Sequence, residues 1–491
     1  MRPRRKRSCW LGGRRRSPFL SLVLLLLWSA AGAWSAASAS AQATRNVILL
    51  SDLHFDALRD PGKAGRLAAA PVAGWNGILN GPDSPGQAEG FAAMQQGCGA
   101  RGVDSDARLL ARSLHESALH AAGAGFVLVS GDLLVHTFKC RYKLAFKDEE
   151  GFASFAEKTA NYVMGEVERA FPGVPVYFSL GNNDSACGDY RLDGHDRFFK
   201  ATSSLILKGM AKAGASEKVQ ARRDYEAEGN YSAVLPGMRK TRLLVVNDTY
   251  FSRLYKTCEG VTNAEGPAAV AAWLARELEA ARIKGERVWV MGHIPPGVDV
   301  YNTVVHMRDV CGVQGPELLL GDDRLSELLA RYADVVKLAI FGHTHMDELR
   351  VIPAATEDGL GVPVKLVASV SPVDGNAPSF TVGVADSGTG SLRDYVVYVA
   401  NDKTGEGSWK RDYGFGETYG RSGFTYPAVS GLVERFRKDR TGGELLSKAY
   451  IKEFFKGGGS PLLLVWPEAV CAMQEPTASG YKSCWCGTGA K

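Results

Sequence analysis

The chain has 491 residues, 45% apolar and 23% charged, with 58 Lys and Arg against 53 Asp and Glu. Those proportions exclude a largely disordered, collagenous or coiled-coil chain, and the length allows one large domain with a smaller one beside it. The formal charge of +5 suggests a basic protein seeking anionic partners, until the basic residues are located.

Eight of them (Arg2, Arg4, Arg5, Lys6, Arg7, Arg14, Arg15 and Arg16) lie within residues 1–41, where no acidic residue occurs. An apolar run at 19–28 follows, then small residues ending in Ala39-Ser40-Ala41. That order is the order of a secretory signal peptide cleaved after Ala41. The apolar run is shorter than the roughly 20 residues a membrane-spanning helix requires. Without this segment 50 basic residues face 53 acidic ones, a balance of −3. Nucleic-acid binding therefore loses its compositional support. A secreted or periplasmic protein is expected.

Eight cysteines remain: Cys98, Cys140, Cys187, Cys258, Cys311, Cys471, Cys484 and Cys486. An even count in an exported chain reads as disulfides. A zinc ribbon is not expected, because the one close pair, Cys484 and Cys486, has no matching second pair.

In chain order, strand-like apolar runs occur at 47–50, 126–129, 176–180, 243–246, 287–291 and 338–341. Helical stretches are predicted at 106–121, 152–169, 268–284 and 323–332. The third carries Val270, Trp273, Leu274, Leu278 and Ala281 at helical spacing. Such alternation predicts an α/β sheet covered on both faces. Further strands at 364–370, 380–384 and 395–399 follow without helices and predict an antiparallel or mixed extension.

Five of the runs end in groups that bind cations. The first leads into Asp52 and His54, which share a face at i and i+2 of an extended chain. The others lead into Gly131-Asp132, Gly181-Asn182-Asn183-Asp184, Gly292-His293 and Gly342-His343-Thr344-His345. Each dipeptide alone is weak; their joint appearance, each after a β-like run, is not. Ligands of open α/β sheets bind beyond the carboxyl ends of strands, where these residues lie. Asp52, His54, Asp132, Asn182, His293, His343 and His345 form a mixed N/O donor set suited to Zn²⁺, with Mn or Fe as alternatives. Seven donors exceed one tetrahedral ion and suit two divalent ions sharing a bridging carboxylate.

The series Asp-x-His, Gly-Asp, Gly-Asn-x-Asp, Gly-His, Gly-His-x-His resembles that of the calcineurin-like metallophosphoesterases. Ser51-Asp52-Leu53-His54-Phe55-Asp56, His136 four residues after Asp132, Gly292-His293-Ile294-Pro295-Pro296-Gly297 and Asn376-Ala377-Pro378-Ser379-Phe380 resemble its acid sphingomyelinase-like phosphodiesterase branch. The resemblance runs from about residue 46 to 384. It implies a β-sandwich flanked by helices, with a small, mainly helical C-terminal domain. The expected boundaries are 1–41 signal peptide, 42–402 catalytic domain and 403–491 disulfide-bearing tail. It also implies that Asp52, His54 and His345 hold one metal, that Asn182, His293 and His343 hold the other, and that Asp132 bridges them. A metal-bound hydroxide then attacks a phosphodiester or phosphoanhydride, and a positioned His protonates the leaving group.

The third motif departs from many members, which have His after its Asn. Here Asn183 can donate a hydrogen bond but cannot transfer a proton near neutral pH. The proton-donor role then falls to His136. Asn at this position also resembles the endopolyphosphatases of the branch. Polyphosphate or nucleotide hydrolysis is thus the alternative to a small-molecule phosphodiester. An inactive binding protein on the same fold is the non-enzymatic one. Because the lipid-acting sphingomyelinase of the branch carries an N-terminal lipid-presenting module and only about ten residues here separate the expected cleavage site from Asp52, membrane lipid contact is less expected than a soluble or dispersed substrate.

His115 and His120 fall within a helical stretch and read as surface or packing residues. His195 and His306 follow the third and fourth motifs and can line the cleft, although the ligand set is complete without them. Asn230 and Asn247 begin sequons. The long segment 57–104, with Trp75, Asn76 and Cys98, is expected to cap the site. Beyond residue 401, a Gly-rich aromatic stretch at 405–424 leads into a helical 429–455. Cys258 with Cys311 and Cys471 with Cys484 are the expected disulfides.

Overall fold

The computed structural model describes residues 44–211, 213–356 and 359–487; the signal-like segment lies outside them. Among these residues the strands are, in chain order, β1 (Thr44–Leu50), β2 (Ala124–Ser130), β3 (Val176–Ser179), β4 (Tyr231–Val234), β5 (Thr241–Val245) and β6 (Arg287–Met291). Then come β7 (Val336–Phe341), β8 (Glu348–Pro353), β9 (Gly361–Leu366), β10 (Ser379–Asp386), β11 (Leu392–Ala400) and β12 (Trp409–Gly414).

They form two six-stranded sheets, ordered β12-β11-β10-β1-β2-β3 and β4-β5-β6-β7-β9-β8. In the first, β1, β2 and β3 run parallel, and β10, β11 and β12 add an antiparallel flank. In the second, β5, β6, β7 and β9 are parallel, with β4 and β8 antiparallel at the two edges. The one doubly covered sheet expected from the alternation is therefore two, in keeping with the β-sandwich flanked by helices that the resemblance implies. The continuous burial of residues such as Val47–Leu50 and Phe126–Val129 has this origin: one face of each strand meets a sheet rather than a helix. Phe126 of β2 meets Trp289 of β6 edge to face at 5.8 Å, and the Trp289 Nε1 donates to the Gly390 carbonyl at 2.6 Å.

Helices cover the outer faces. Glu265–Lys284 buries Val270, Trp273, Leu274, Leu278 and Ala281, the predicted stripe, against β5 and β6. Ala107–Leu119 starts where the Asp106 carboxylate accepts from the Leu109 N–H at 2.8 Å. After β12 completes the first sheet, Tyr426–Lys438 and Trp466–Gln474 pack on β8. The strands absent from the sequence reading, β4, β8 and β12, are all edge strands. β8 and β12 carry charged residues (Glu348 and Arg350; Lys410, Arg411 and Asp412) that break the apolar run a strand reading looks for.

The disulfides join Cys98 to Cys140, Cys187 to Cys258, Cys311 to Cys486 and Cys471 to Cys484. The expected Cys471–Cys484 bond is present. Cys258 does not pair with Cys311, because a bridge between Arg191 and Lys256 lays the 187 loop beside the 258 loop. Cys311 instead reaches the terminal helix Ala478–Gly487, whose Lys482 Nζ donates to the Gly312 carbonyl at 2.7 Å.

Segment 57–104 is built of helices Ala64–Ala69, Trp75–Leu79 and Gln87–Gly97. Trp75 is buried beside Phe155 and Tyr162, and Asn76 bonds the Tyr162 hydroxyl and Glu166. These two residues anchor the segment to helix Phe152–Ala170 and do not cap the site. Neither sequon is open to a glycan: Asn230 and Asn247 are buried, and the Asn230 Oδ1 accepts from the Asn247 N–H at 2.8 Å.

Candidate metal centre

Every candidate ligand follows a strand that ends at the same rim. Asp52 and His54 follow β1, Asp132 follows β2 and Asn182 follows β3; His293 follows β6, and His343 and His345 follow β7. Both sheets thus contribute where their parallel strands end. The loops are tied to one another: the Asp52 and His54 N–H groups donate to the Gly131 and Asp132 carbonyls at 3.1 and 2.9 Å, and the Gly342 N–H donates to the His293 carbonyl at 2.9 Å.

The backbone is strained where the donors sit. Asp52, His54, Asp132, His343 and His345 have φ of 50°, 40°, 52°, 73° and 63°. A non-glycine residue there costs on the order of 1–3 kcal/mol and persists only where surrounding bonds impose it. Two preceding glycines are required by close approach. A Cβ on Gly342 would lie 1.9 Å from the Ser51 Oγ and 2.6 Å from the Asp52 Oδ2; one on Gly181 would lie 2.1 Å from the Asp132 Oδ1.

The donor atoms converge. The His54 Nδ1 donates to the Leu134 carbonyl at 2.9 Å and the His293 Nδ1 to the Ser130 carbonyl at 2.8 Å. A carbonyl only accepts, so each Nδ1 carries a proton and each Nε2 is the atom turned toward the cluster, the arrangement typical of metal-binding histidines. The His54 Nε2 lies 3.5 Å from the Asp132 Oδ2 and 3.7 Å from the Asp52 Oδ1, and the His345 Nε2 lies 3.4 Å from the latter. The His293 Nε2 lies 3.1 Å from the Asp132 Oδ2. Two groups of donor atoms lie within 4.8 Å of one another, Asp52 with His54 and Asp132, and Asp132 with His293 and His343. Asp132 belongs to both. The Asn182 Oδ1 and His293 Nε2 are buried and lack a hydrogen-bond partner. Such orphaned acceptors beside buried carboxylates fit a cation.

The field has the same sign. Burial opposes protonation of His293, yet the Asp132 and Asp52 carboxylates raise it to about 10. Burial likewise opposes protonation of His345, which Asp52 and Asp374 raise to about 10. His343 is pushed down to about 3 by burial and by the neighbouring His293. A cavity that draws protons onto two buried imidazoles is electronegative enough to attract metal ions.

Carboxylates brace the donors. The Asn183 N–H and side-chain amide both donate to Asp132, at 2.9 and 2.7 Å. Asp184 accepts from the Gly181, Leu133 and Leu134 N–H groups, and Asp248 from those of His293 and Ile294. Asp374 lies 2.7 Å from the His345 Nδ1. Asp248 and Asp374 carried no sequence signal, because each is defined by contact with a loop from elsewhere in the chain.

Residues 45–347 match the family described as calcineurin-like phosphoesterase. The chain belongs to that family. It is 28% identical over 368 residues to bovine sphingomyelin phosphodiesterase (71% of this chain, 52% of the relative). It is 24% identical over 283 residues to a rat cyclic GMP-AMP phosphodiesterase (55% and 58%). With mouse acid sphingomyelinase-like phosphodiesterase 3b it shares 23% over 469 residues, 90% of each chain. Across four curated relatives the match spans 36%, 69%, 58% and 52% of the relative's own length. These relatives support the acid sphingomyelinase-like branch.

His136 lies beside the donor cluster. Its ring stacks on His54 at 3.8 Å, and it offers a nitrogen within 4.8 Å of those of His54 and His345. The His136 Nδ1 sits 3.1 Å from both oxygens of Asp104, which also accepts from the Ser371 hydroxyl at 2.8 Å. Burial and the neighbouring His54 push His136 below its ordinary value, and Asp104 opposes them. The Asp104 carboxyl, despite burial, is held well below the usual range by His136. The remaining histidines stay out of the site. His115 and His195 are exposed, His120 packs on Tyr398 at 4.0 Å, and His306 pairs with Glu317 at 2.8 Å.

Proposed function

We propose that this chain is an exported, two-metal phosphodiesterase of the acid sphingomyelinase-like branch, acting on a small phosphodiester or phosphoanhydride. The observation that carries this reading is the pair of donor groups sharing Asp132. Asp52, His54 and His345 would hold one divalent ion, Asn182, His293 and His343 the other, with Asp132 between them. Zn²⁺ suits the histidine-rich set first, with Mn or Fe as alternatives. Two such ions supply Lewis acidity that activates water and neutralises charge on the phosphoryl oxygens.

The chain's own residues do the rest. Asn183, Asp184 and Asp248 hold the ligand loops in their strained conformation. Asp104 keeps the His136 Nδ1 occupied, so the His136 Nε2 is the atom that delivers a proton to the leaving oxygen. Export is supported by four disulfides, which persist in oxidising compartments. Relatives named for sphingomyelin and for cyclic GMP-AMP support a small phosphodiester substrate.

The test is metal analysis of the purified protein with turnover of bis-p-nitrophenyl phosphate. Close to two equivalents of metal and turnover that a chelator abolishes are expected. Less than one equivalent and no turnover after addition of Zn²⁺ or Mn²⁺ overturns the reading in favour of an inactive binding protein.

A further inference from the structure

Three segments meet behind His136, and one side chain holds all of them. They are the first-motif loop with Asp56, helix Gln87–Gly97 with the loop that runs from it to Asp104, and the turn from His136 into helix Phe138–Phe146. Arg141, on the last of these helices, is fully buried. Each arm of its fork goes to a different segment. The Nε donates to the His136 carbonyl at 3.0 Å, the Nη1 to the Asp56 Oδ2 at 2.9 Å and the Nη2 to the Gln95 Oε1 at 2.6 Å. The Gln95 Nε2 in turn donates to the Gly102 carbonyl at 2.7 Å, in the loop that carries Asp104.

Asp104 closes the circuit. It lies 3.1 Å from the His136 Nδ1 and 3.4 Å from the His136 N–H. Its loop is held from the other side as well. A Cβ on Gly102 would lie 1.9 Å from the Val373 carbonyl oxygen, and the Ser371 hydroxyl donates to Asp104 at 2.8 Å. The Ser105 N–H donates to the His54 carbonyl at 3.2 Å, and its carbonyl accepts from the Asp56 N–H at 2.8 Å. The Cys98–Cys140 disulfide ties the end of helix Gln87–Gly97 to helix Phe138–Phe146. A buried guanidinium needs one carboxylate to balance its charge, and Asp56 supplies it. The two other bonds of Arg141 go to neutral acceptors. One is the main chain of His136; the other leads through Gln95 to the loop of its partner Asp104.

We propose that Arg141 and Gln95 are positioning residues for proton delivery. Together they fix the His136 main chain relative to the loop that carries Asp104, and so set where the His136 Nε2 points. This deepens the two-metal reading and rests on it, and on His136 as its proton donor. Both residues act through His136 rather than on the substrate. Arginine suits the position because its planar fork holds three acceptors at once, whereas a lysine keeps the charge beside Asp56 but offers one ammonium on a flexible stem. Segment 57–104 thereby acts on the reaction through the orientation of His136.

The test uses the metal-loaded full chain and two methyl aryl phosphodiesters, one leaving as p-nitrophenolate and one as phenolate. The readout is the ratio of kcat for the phenyl ester to kcat for the p-nitrophenyl ester, because the poorer leaving group depends more on the acid. In Gln95→Met and in Arg141→Lys this ratio is expected to fall about tenfold, as a donor displaced by a fraction of an ångström loses its aim. Gln95→Met keeps the Asp56–Arg141 ion pair and carries the test if Arg141→Lys does not fold. In a His136→Ala background, Gln95→Met should change the ratio by less than about twofold, since changes that act through one group are not additive. Ratios within about twofold of wild type in both variants, where His136→Ala itself lowers the ratio, overturn the proposal. So does a full further fall in the His136→Ala background, or a loss of bound metal that matches the fall in the ratio, since either marks a general loosening of the fold. A ratio that His136→Ala leaves unchanged counts against His136 as the donor, and a metal-loaded wild type inactive on both esters and on bis-p-nitrophenyl phosphate counts against the two-metal reading; the proposal falls with either.

Discussion

The Nε2 atoms of His54 and His345 lie 3.1 Å apart. The His54 Nδ1 is committed to the Leu134 carbonyl and the His345 Nδ1 faces the Asp374 carboxylate at 2.7 Å. The carbonyl only accepts, so the His54 Nδ1 keeps its proton, and the carboxylate at 2.7 Å favours one on the His345 Nδ1, which leaves the two Nε2 atoms facing each other. Such a contact is tolerable only with a positive charge between them, a proton or a metal ion.

Metal binding should therefore release protons. In the metal-free protein His293 and His345 are raised to about 10, so both are charged at neutral pH. Each must lose that proton to act as a ligand. Affinity should rise with pH up to about 10 and fall as pH drops below it. Calorimetric titration of Zn²⁺ at pH 7 in buffers of different ionisation enthalpy should show about two protons released per fully loaded molecule. A pH-independent affinity would contradict this.

Gly342→Ala should disable the site without unfolding the chain. The new Cβ displaces Ser51 or Asp52. Overpacking of this kind costs about 1–3 kcal/mol, and a ligand misplaced by about 1 Å costs on the order of 100-fold in rate. Circular dichroism and metal stoichiometry check it: native secondary structure with reduced metal content is the expected pair.

His136→Ala should slow substrates according to their leaving group. General acid catalysis contributes roughly 10²–10⁴-fold when the leaving oxygen needs a proton, and little for p-nitrophenolate. Plots of log kcat against leaving-group pKa should steepen in His136→Ala. Asp104→Asn should steepen them partly, since it weakens the 3.1 Å contact that orients the ring.

Lys456→Met should destabilise the fold. The Lys456 Nζ lies 3.0 Å from Asp347, 3.0 Å from Asp412 and 3.4 Å from Glu453, and Asp347 also pairs with Lys365. The cluster joins the loop after His345 to β12 and to helix Leu445–Phe454. Removing one charge from a buried network leaves the others uncompensated, at a cost of about 3–5 kcal/mol. Guanidinium unfolding of the oxidised protein measures it.

The donors were legible in the sequence because each is a local event: an apolar run, a glycine, then a ligand-type side chain. Helix Glu265–Lys284 was legible for the same reason, its stripe being periodic. Segment 57–104 was expected to cap the site with Trp75 and Asn76; those two pack instead on Phe155 and Tyr162, while Asp104 at the end of the segment meets His136, because a long connection announces itself by length and its packing does not. Cys258 was given the wrong partner because pairing depends on which loops the sheets bring side by side. Asn183 was read as able to donate a hydrogen bond but not a proton; that its amide donates to Asp132 at 2.7 Å depends on how two loops meet and has no local signal.

The residue types, their order after each strand and the family they imply were thus present in the sequence alone. The bracing of His136 by Asp104 and of His345 by Asp374 was decided by the tertiary structure. Periodicity and spacing act over a few residues. The Ser371–Asp104 bond spans 267 positions, and contacts of that kind are set by how buried surfaces pack, which local pattern does not encode.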